Sequence, residues 1–444
     1  MMSRILTLLG LILLSSIATA QSLSLSLAEA QQMAIDSSYA TRNARYNTEK
    51  KRKEVREVLA NGFPQINGTA ELQDFLKIPT QLVPAEFFGG EQGEFAEIQF
   101  GTKYNFTAGL SATQLIFDGT YLIGIKASKT VVELTTNQEL KSEQDIKFNV
   151  AEAYHTVLLA IENLNILQEN LGNFQKTLDD TQALYDNGLT EQQDVDQIKL
   201  NKNQITINID RTQQFLEVSR KTLNFLIGID LDRQITLTDN IENLVQVSND
   251  QKYLEIEPQL NTHPDYLIAK TNLEIQDLTI RGNKAAYYPS LSGFFNYQQT
   301  ALRNEFNFTD TDQPWFPTSI IGLRLNVPIW SSLQRRARVQ QAEIGFQQSV
   351  MQLQQTEESL KLGVDRARSN YENALKTWGN QKESIALAQS ISEKTNIKYS
   401  EGISSSFELN VAESQLLNEQ TKYIQAAMDL LTAKQNLDRA LNIN

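Results

Sequence analysis

YNFTAGLSAT (residues 104–113) sets Tyr104, Phe106, Ala108, Leu110 and Ala112 on one side of an extended chain. Asn105, Thr107, Ser111 and Thr113 fall on the other. A period of two with one greasy and one wet face is the mark of a β-strand between unlike environments. QINGTAELQ (65–73) repeats it, with Ile66, Gly68, Ala70 and Leu72 opposed to polar residues. LSGFFNYQQ (291–299) alternates less cleanly because Phe294 falls among the polar positions, and IIGLRLNVPIW (320–330) sets Ile321, Leu323, Leu325 and Val327 against Gly322, Arg324 and Asn326. A sandwich core and a lipid-facing barrel both explain such strands. Aromatic residues gather around them (Phe63, Tyr104, Phe106 and Phe117; Tyr287, Tyr288, Phe295, Tyr297, Trp315 and Trp330), which favours the barrel.

The rest of the sequence reads as helix. No proline lies between residues 85 and 257 or after Pro328, so nothing breaks a helix there. A helix from Thr120 to Asn187 would run about 100 Å at 1.5 Å per residue. Val150, Tyr154, Val157, Ile161, Leu164, Leu171 and Leu178 lay a coiled-coil seam along it, interrupted at Gln168 and Gln175. Four strands cannot close a membrane barrel, which needs about eight or more. Other copies of the chain must supply the rest: two give eight strands and three give twelve.

The plan is written twice. LYDNGLTEQQDV (184–195) returns as KYSEGISSSFEL (398–409): Tyr185 matches Tyr399, Gly188 matches Gly402, Leu189 matches Ile403 and Asp194 matches Glu408. Each copy interrupts a long helical pattern with a glycine, as a hairpin turn requires. Phe63-Pro64 and Tyr288-Pro289 end corresponding helices. The expected organisation is a segment 1–20, a first repeat 21–232 (strands about 65–73 and 104–117), a connecting segment 233–261, and a second repeat 262–444 (strands about 291–299 and 320–330). The connection 74–103, with GGEQGEFAE, reads as a polar surface loop. Ser26 and Glu29 have the spacing of a capping box, and Pro264 suits the first turn of a helix.

MMSRILTLLGLILLSSIATAQ carries a charge at Arg4, a short apolar run and Ala18-Thr19-Ala20, the pattern of a secretory signal cleaved before Gln21. The formal net charge of −13 argues against nucleic acid as a partner. There is no Cys and only His155 and His263, so no disulfide, His/Cys metal site or other cofactor is expected. No catalytic constellation stands out, and no enzyme is expected. The run Lys50-Lys51-Arg52-Lys53 reads as a solvated helix face, with anionic head groups as the sharper alternative.

With its duplicated helix–strand–strand–helix plan, the LSLAEA opening (Leu25–Ala30), the strand entry Tyr288–Leu291, and the two tips Asn187-Gly188-Leu189 and Glu401-Gly402-Ile403, the chain resembles the TolC-like outer membrane efflux family over essentially all of its length after residue 20. The resemblance implies a mainly α protein with a β-barrel part: a homotrimer whose 12-stranded barrel crosses the outer membrane and continues as an α-helical periplasmic tunnel. It implies an exit duct in outer-membrane lipid, joined by a periplasmic adaptor (membrane fusion) protein to an inner-membrane pump of the RND or ABC type. The tips Asn187, Gly188, Leu189, Glu401, Gly402 and Ile403 would contact the adaptor. Asp194 and Glu408, with Asp196 nearby, would line a cation-selective entrance, and Tyr185 and Tyr399 would join its closing contacts. Three like charges about 6 Å apart repel by roughly 3 kcal/mol per pair at an effective dielectric near 20. Ser404 stands where some relatives carry an arginine, and Val411 where some carry a second acid. The plain alternatives are hairpin turns and solvated acids. A secreted coiled-coil filament or surface adhesin would explain the helices but not the strands.

Overall fold

A computed structural model describes residues 23–443; the expected signal segment 1–20 lies outside them. In chain order the elements are β1 (Leu23–Leu25), α1 (Leu27–Ser37), α2 (Tyr39–Ala60), β2 (Gln65–Asp74), β3 (Thr80–Pro84), β4 (Phe95–Gln99) and β5 (Tyr104–Phe117). Then come α3 (Gly119–Asp186), α4 (Gln192–Ile227), β6 (Ile235–Leu237), α5 (Ile241–Ser248) and α6 (Pro264–Ala285). The chain ends with β7 (Ser290–Arg303), β8 (Phe316–Asn326), α7 (Gln334–Ser400) and α8 (Ser406–Leu441). Two compact units result, each drawing on both halves of the sequence: described residues up to 48, 134–270 and from 352 onward in one, 49–133 and 271–351 in the other.

The second unit is built on an antiparallel sheet of order β2-β5-β7-β8. Residues opposite one another share a face, and the register sets Ile66, Ala112, Phe295 and Ile321 in one apolar row across all four strands. Thr69, Gly109, Gln298 and Thr318 form a row on the opposite face. Ile321 is 83% exposed and Leu325 64%, so within one chain the apolar face is uncovered. Phe294, the residue out of pattern, lies over Gly322, where a Cβ would stand 2.6 Å from its ring, and Arg324 sits 5.4 Å from the ring centroid. A missing side chain on one strand and a cation–π contact accommodate an aromatic on the polar face.

Three expectations are corrected in this unit. β8 spans Phe316–Asn326, not 320–330: Pro328 has no N–H to donate, and pairing begins earlier, with Thr300 opposite Phe316. β7 likewise runs on to Arg303, whose buried guanidinium donates to the carbonyls of Gln313 and Pro314 and ties down the connection to β8. The connection 74–103 is not a plain loop either, because Thr80–Pro84 and Phe95–Gln99 pair as an antiparallel hairpin. On α2 the basic run is met by acids of the same helix, with Lys51 on Glu54 at 2.7 Å and Lys53 on Glu49 at 3.1 Å.

The first unit is helical. Leu25, Ala30, Ala34, Val150, Tyr154, Val157, Leu223 and Ile227 pack one core; Val364, Ala367, Tyr371, Ala374, Trp378, Leu430 and Leu437 pack another. The spacing of Val364, Ala367, Tyr371, Ala374 and Trp378, alternately three and four, is that of a coiled-coil seam. A buried tyrosine on each long helix anchors the small central elements. The Tyr154 hydroxyl donates to the Leu25 carbonyl at 2.9 Å and to Asp239 at 2.8 Å, and Asp239 also accepts from the Leu27 amide at 2.7 Å. Tyr371 donates to the carbonyls of Ser248 and Asp250. The segment after α4 is thus pinned to the long helices, and its strand β6 pairs in parallel with β1. The Ser26–Glu29 capping box forms, with the Ser26 amide donating to Glu29 at 2.8 Å. His155 is buried, and burial pushes its imidazole down to about 4, so it is neutral.

The seam of α3 differs from its expected course. Beyond Leu164 the buried stripe runs through Leu167, Asn170, Phe174, Thr177 and Thr181, while Leu171 and Leu178 are only half-buried. Apolarity alone picks the leucines; the packed face takes the polar residues one position away.

Candidate functional site

Two helical hairpins of the first unit, α3–α4 and α7–α8, turn at the repeated glycines. Gly188 has φ +74° and Gly402 φ +73°, a left-handed backbone that L side chains rarely adopt. Nothing lies within 4 Å of a Cβ built at either, so conformation alone demands glycine. Both turns close alike: the Gly188 amide donates to the Tyr185 carbonyl at 2.8 Å and the Leu189 amide to Leu184 at 2.9 Å. In the second, Gly402 donates to Tyr399 at 3.0 Å and Ile403 to Lys398 at 2.8 Å. These paired bonds satisfy the last carbonyls of the incoming helix, as in a Schellman turn. Leu189 and Ile403 are left exposed at the two apices, at 72% and 71%. Asn187 folds back on the Ala183 carbonyl at 2.7 Å, and Glu401 is exposed.

The outgoing helices start on the matched acids. Asp194 accepts from the Thr190 hydroxyl at 2.5 Å and from the Glu191 amide at 3.4 Å. Glu408 accepts from the Ser404 hydroxyl at 2.5 Å and the Ser405 amide at 3.1 Å, while its own amide donates to the Ser405 hydroxyl at 3.2 Å. Each acid therefore has a local task, holding free amides of a helix start, which also suits the helix dipole. Hydrogen bonds from Ser404 and Ser405 hold the Glu408 carboxyl below its ordinary range. Those from Ser406 and Thr190 do the same for Asp194.

Asp194 does more. Its second oxygen accepts from the Ser406 hydroxyl at 2.5 Å, joining the start of α4 to the start of α8. Towards the turns, three further polar bonds tie the same hairpins together. Thr181 meets Tyr399, hydroxyl to hydroxyl, at 2.6 Å; Asn170 donates to Gln420 at 2.9 Å; and Asn201 donates to Asn410. Of the residues expected at an entrance, Asp194 and Tyr399 thus join one cross-hairpin network. Glu408 caps its own helix, Asp196 is exposed and takes only a local bond from Gln192 at 3.0 Å, and Tyr185 is exposed. Sequence reading missed Thr181, Ser406 and Glu413. The S-x-x-E spacing of Ser405 and Glu408 was available as a signal. Nothing in the sequence pairs Asp194 with Ser406.

Among the described residues no group of His, Cys, Asp and Glu is placed to hold a metal ion, and no helix is long and apolar enough to cross a membrane.

Comparison with known proteins agrees with this architecture. Residues 30–228 and 256–442 match the family model described as Outer membrane efflux protein. The chain is similar to the outer membrane efflux protein BepC of Brucella suis, 20% identical over 329 residues that cover 74% of this chain and 70% of BepC. It is similar to the outer membrane protein TolC of Escherichia coli, 21% identical over 342 residues, 76% of this chain and 69% of TolC. The crystal structure of the outer membrane protein VceC from Vibrio cholerae superposes with a TM-score of 0.69 at 16% identity, covering 94% of this chain and 95% of that one.

Proposed function

Because the chain belongs to the outer membrane efflux protein family, and so serves as an outer-membrane exit duct with its helical part in the periplasm, we propose that it works as a homotrimer whose tips receive a periplasmic adaptor. The family is one of channels, which leaves no role for the filament or adhesin reading.

The observation that carries the oligomer is the sheet. Among the described residues β2 and β8 have a neighbour on one side only, and lipid offers no partner to an open edge. Every pairing from β2 to β8 is antiparallel, so β2 and β8 run in opposite directions. The β8 of one copy can therefore continue into the β2 of the next without breaking the alternation. Three copies complete twelve strands with the row from Ile66 to Ile321 turned to lipid. The helices support the same reading. Leu200, Ile207, Phe215, Val218 and Phe225 are exposed on α4 within about 80° of helical arc. They lie opposite the buried Ile198, Ile205, Ile209 and Leu223, so α4 is apolar on two faces, as when neighbours cover both.

In this reading Asn187, Gly188, Leu189, Glu401, Gly402 and Ile403 form the adaptor-facing tips, six per trimer. An inner-membrane pump of the RND or ABC type delivers the cargo through that adaptor. The repeated segments 21–232 and 262–444 each furnish one hairpin and one strand pair, and 233–261 braces them. Asp194, with Glu408 and Asp196, gives the entrance its negative charge. The Thr181–Tyr399 and Asp194–Ser406 bonds hold it narrow, in place of any contact from Ser404 or Val411; Tyr185 stands at its margin.

The experiment is the reversal potential of the purified protein in a planar bilayer under a salt gradient, beside Asp194→Ala. A small cation-selective conductance is expected, with a larger and less selective one in the variant because a bond between the hairpins and a charge are lost together. Unchanged conductance and selectivity in Asp194→Ala would remove the entrance from this place.

A further inference from the structure

Between the ends of α3 and α7 and the first turns of α8 lies a groove of about 860 Å³. Glu169, Lys176 and Asp180 of α3, Glu393 of α7 and Glu413 of α8 line it, four carboxyls against one ammonium. Glu413 stands apart from the others. It is only 9% exposed, and its Oε2 has no hydrogen-bond partner among the described residues. Two polar residues of the lining are engaged with other partners. The Asn170 amide donates to the Ile166 carbonyl at 2.8 Å and to Gln420 at 2.9 Å, and the Thr177 hydroxyl to the Asn173 carbonyl at 3.1 Å. Buried polar atoms are almost always satisfied, so an orphan carboxyl oxygen beside a groove of ligand size marks an absent donor.

We propose that this groove is a binding site for an organic cation, an ammonium or guanidinium group that donates to the Glu413 carboxylate. The lining explains the chemical class. Glu169, Asp180 and Glu393 give the approach a negative potential, which attracts a cation and repels anions. The space far exceeds what a bare ion fills, and no set of ligands suited to a metal ion is present among the described residues. Leu184, Ile397 and Leu416 supply apolar surface for an alkyl stem. The chemistry is that of a polyamine or of the arginine or lysine side chain of a protein docked at the tips.

Proton release accompanies binding. Burial alone pushes the Glu413 carboxyl up to about 7; the other ionisable groups of the lining are Glu169, Lys176 and Asp180 from α3 and Glu393 and Tyr399 from α7. A cation that seats against the carboxylate must displace that proton when the pH is below 7. The ionised fraction of such a group rises about tenfold between pH 6 and pH 8, and the apparent affinity rises with it.

The test is isothermal titration of the purified full chain with spermidine, and separately with N-acetyl-arginine methylamide, at pH 6 and pH 8. For the wild type, affinity for at least one probe is expected to increase about tenfold from the lower to the higher pH, with a buffer-dependent heat from the released proton. Glu413→Gln keeps the size of the side chain and is expected to bind about tenfold more weakly at pH 8, with no pH dependence. Tighter binding of the arginine derivative assigns the site to a protein side chain; tighter binding of spermidine assigns it to a free polyamine. Affinity equal at both pH values in the wild type, or equal in Glu413→Gln, overturns the proposal. The wild-type pH dependence decides the matter even where the variant does not fold. Conductance through the duct is a separate readout, so failure of this site leaves the reading of the duct standing.

Discussion

The inner face of α3 is buried along both of its stretches, yet they are held by different forces. At Val150, Tyr154 and Val157 it meets aliphatic neighbours; the Tyr154 hydroxyl is engaged, and the buried imidazole of His155 is neutral. At Asn170, Thr177 and Thr181 it is equally hidden, but its side chains are polar and reach Gln420 and Tyr399 through hydrogen bonds. Apolar burial is non-directional and tolerates small movements. A hydrogen bond contributes only about 1 kcal/mol net and loses it when geometry fails. One helix therefore carries a permanent anchor and, towards its glycine turn, a contact that can be released. A duct that opens at its tips, as proposed above, needs both.

Substitution in the apolar cores of the helical unit and among the polar groups nearer its tips should separate them. Leu430→Ala empties a fully buried position in the apolar region and should cost about 3 kcal/mol, read as a lower denaturation midpoint with little change in conductance. Glu413→Gln should act in the opposite direction. The folded carboxyl keeps its proton up to about pH 7 whereas an unfolded one loses it near 4.5, so wild-type stability falls as pH rises through that window. The variant should be flat there and about 2 kcal/mol more stable at pH 8, measured by denaturation at pH 5 and pH 8. Thr181→Val removes the bond to Tyr399 while keeping the shape of the side chain. Stability should change by less than about 1 kcal/mol, but single-channel conductance should rise. A conductance that follows Leu430→Ala and ignores Thr181→Val would break the contrast.

Much of this division was hidden from sequence reading for a physical reason. The alternation of YNFTAGLSAT announces β5, because a strand between unlike faces must alternate. The glycines announce the turns, because few other residues accept φ near +74°. The seam near the tips was misread because hydrophobic patterning detects only apolar contacts and so selected Leu171 and Leu178 over Asn170, Thr177 and Thr181. β3 and β4, of five residues each, are too short for a period to emerge beside the glycines at 89, 90 and 93. The three-residue pair β1–β6 is shorter still. The bonds Asp194–Ser406 and Thr181–Tyr399 join positions more than two hundred residues apart, so only folding brings them together.

The outer strands β2 and β8 also bear on how the protein comes to exist. A solitary chain carries two rows of backbone amides and carbonyls that no other strand meets among the described residues. In water these rows are solvated, but in hydrocarbon each orphan group would cost several kcal/mol. A single copy is therefore barred from the bilayer by its own edges. On the trimeric reading proposed above, insertion and ring closure become one event, and the lipid acts as a proofreader of copy number, admitting the complete ring and excluding its fragments.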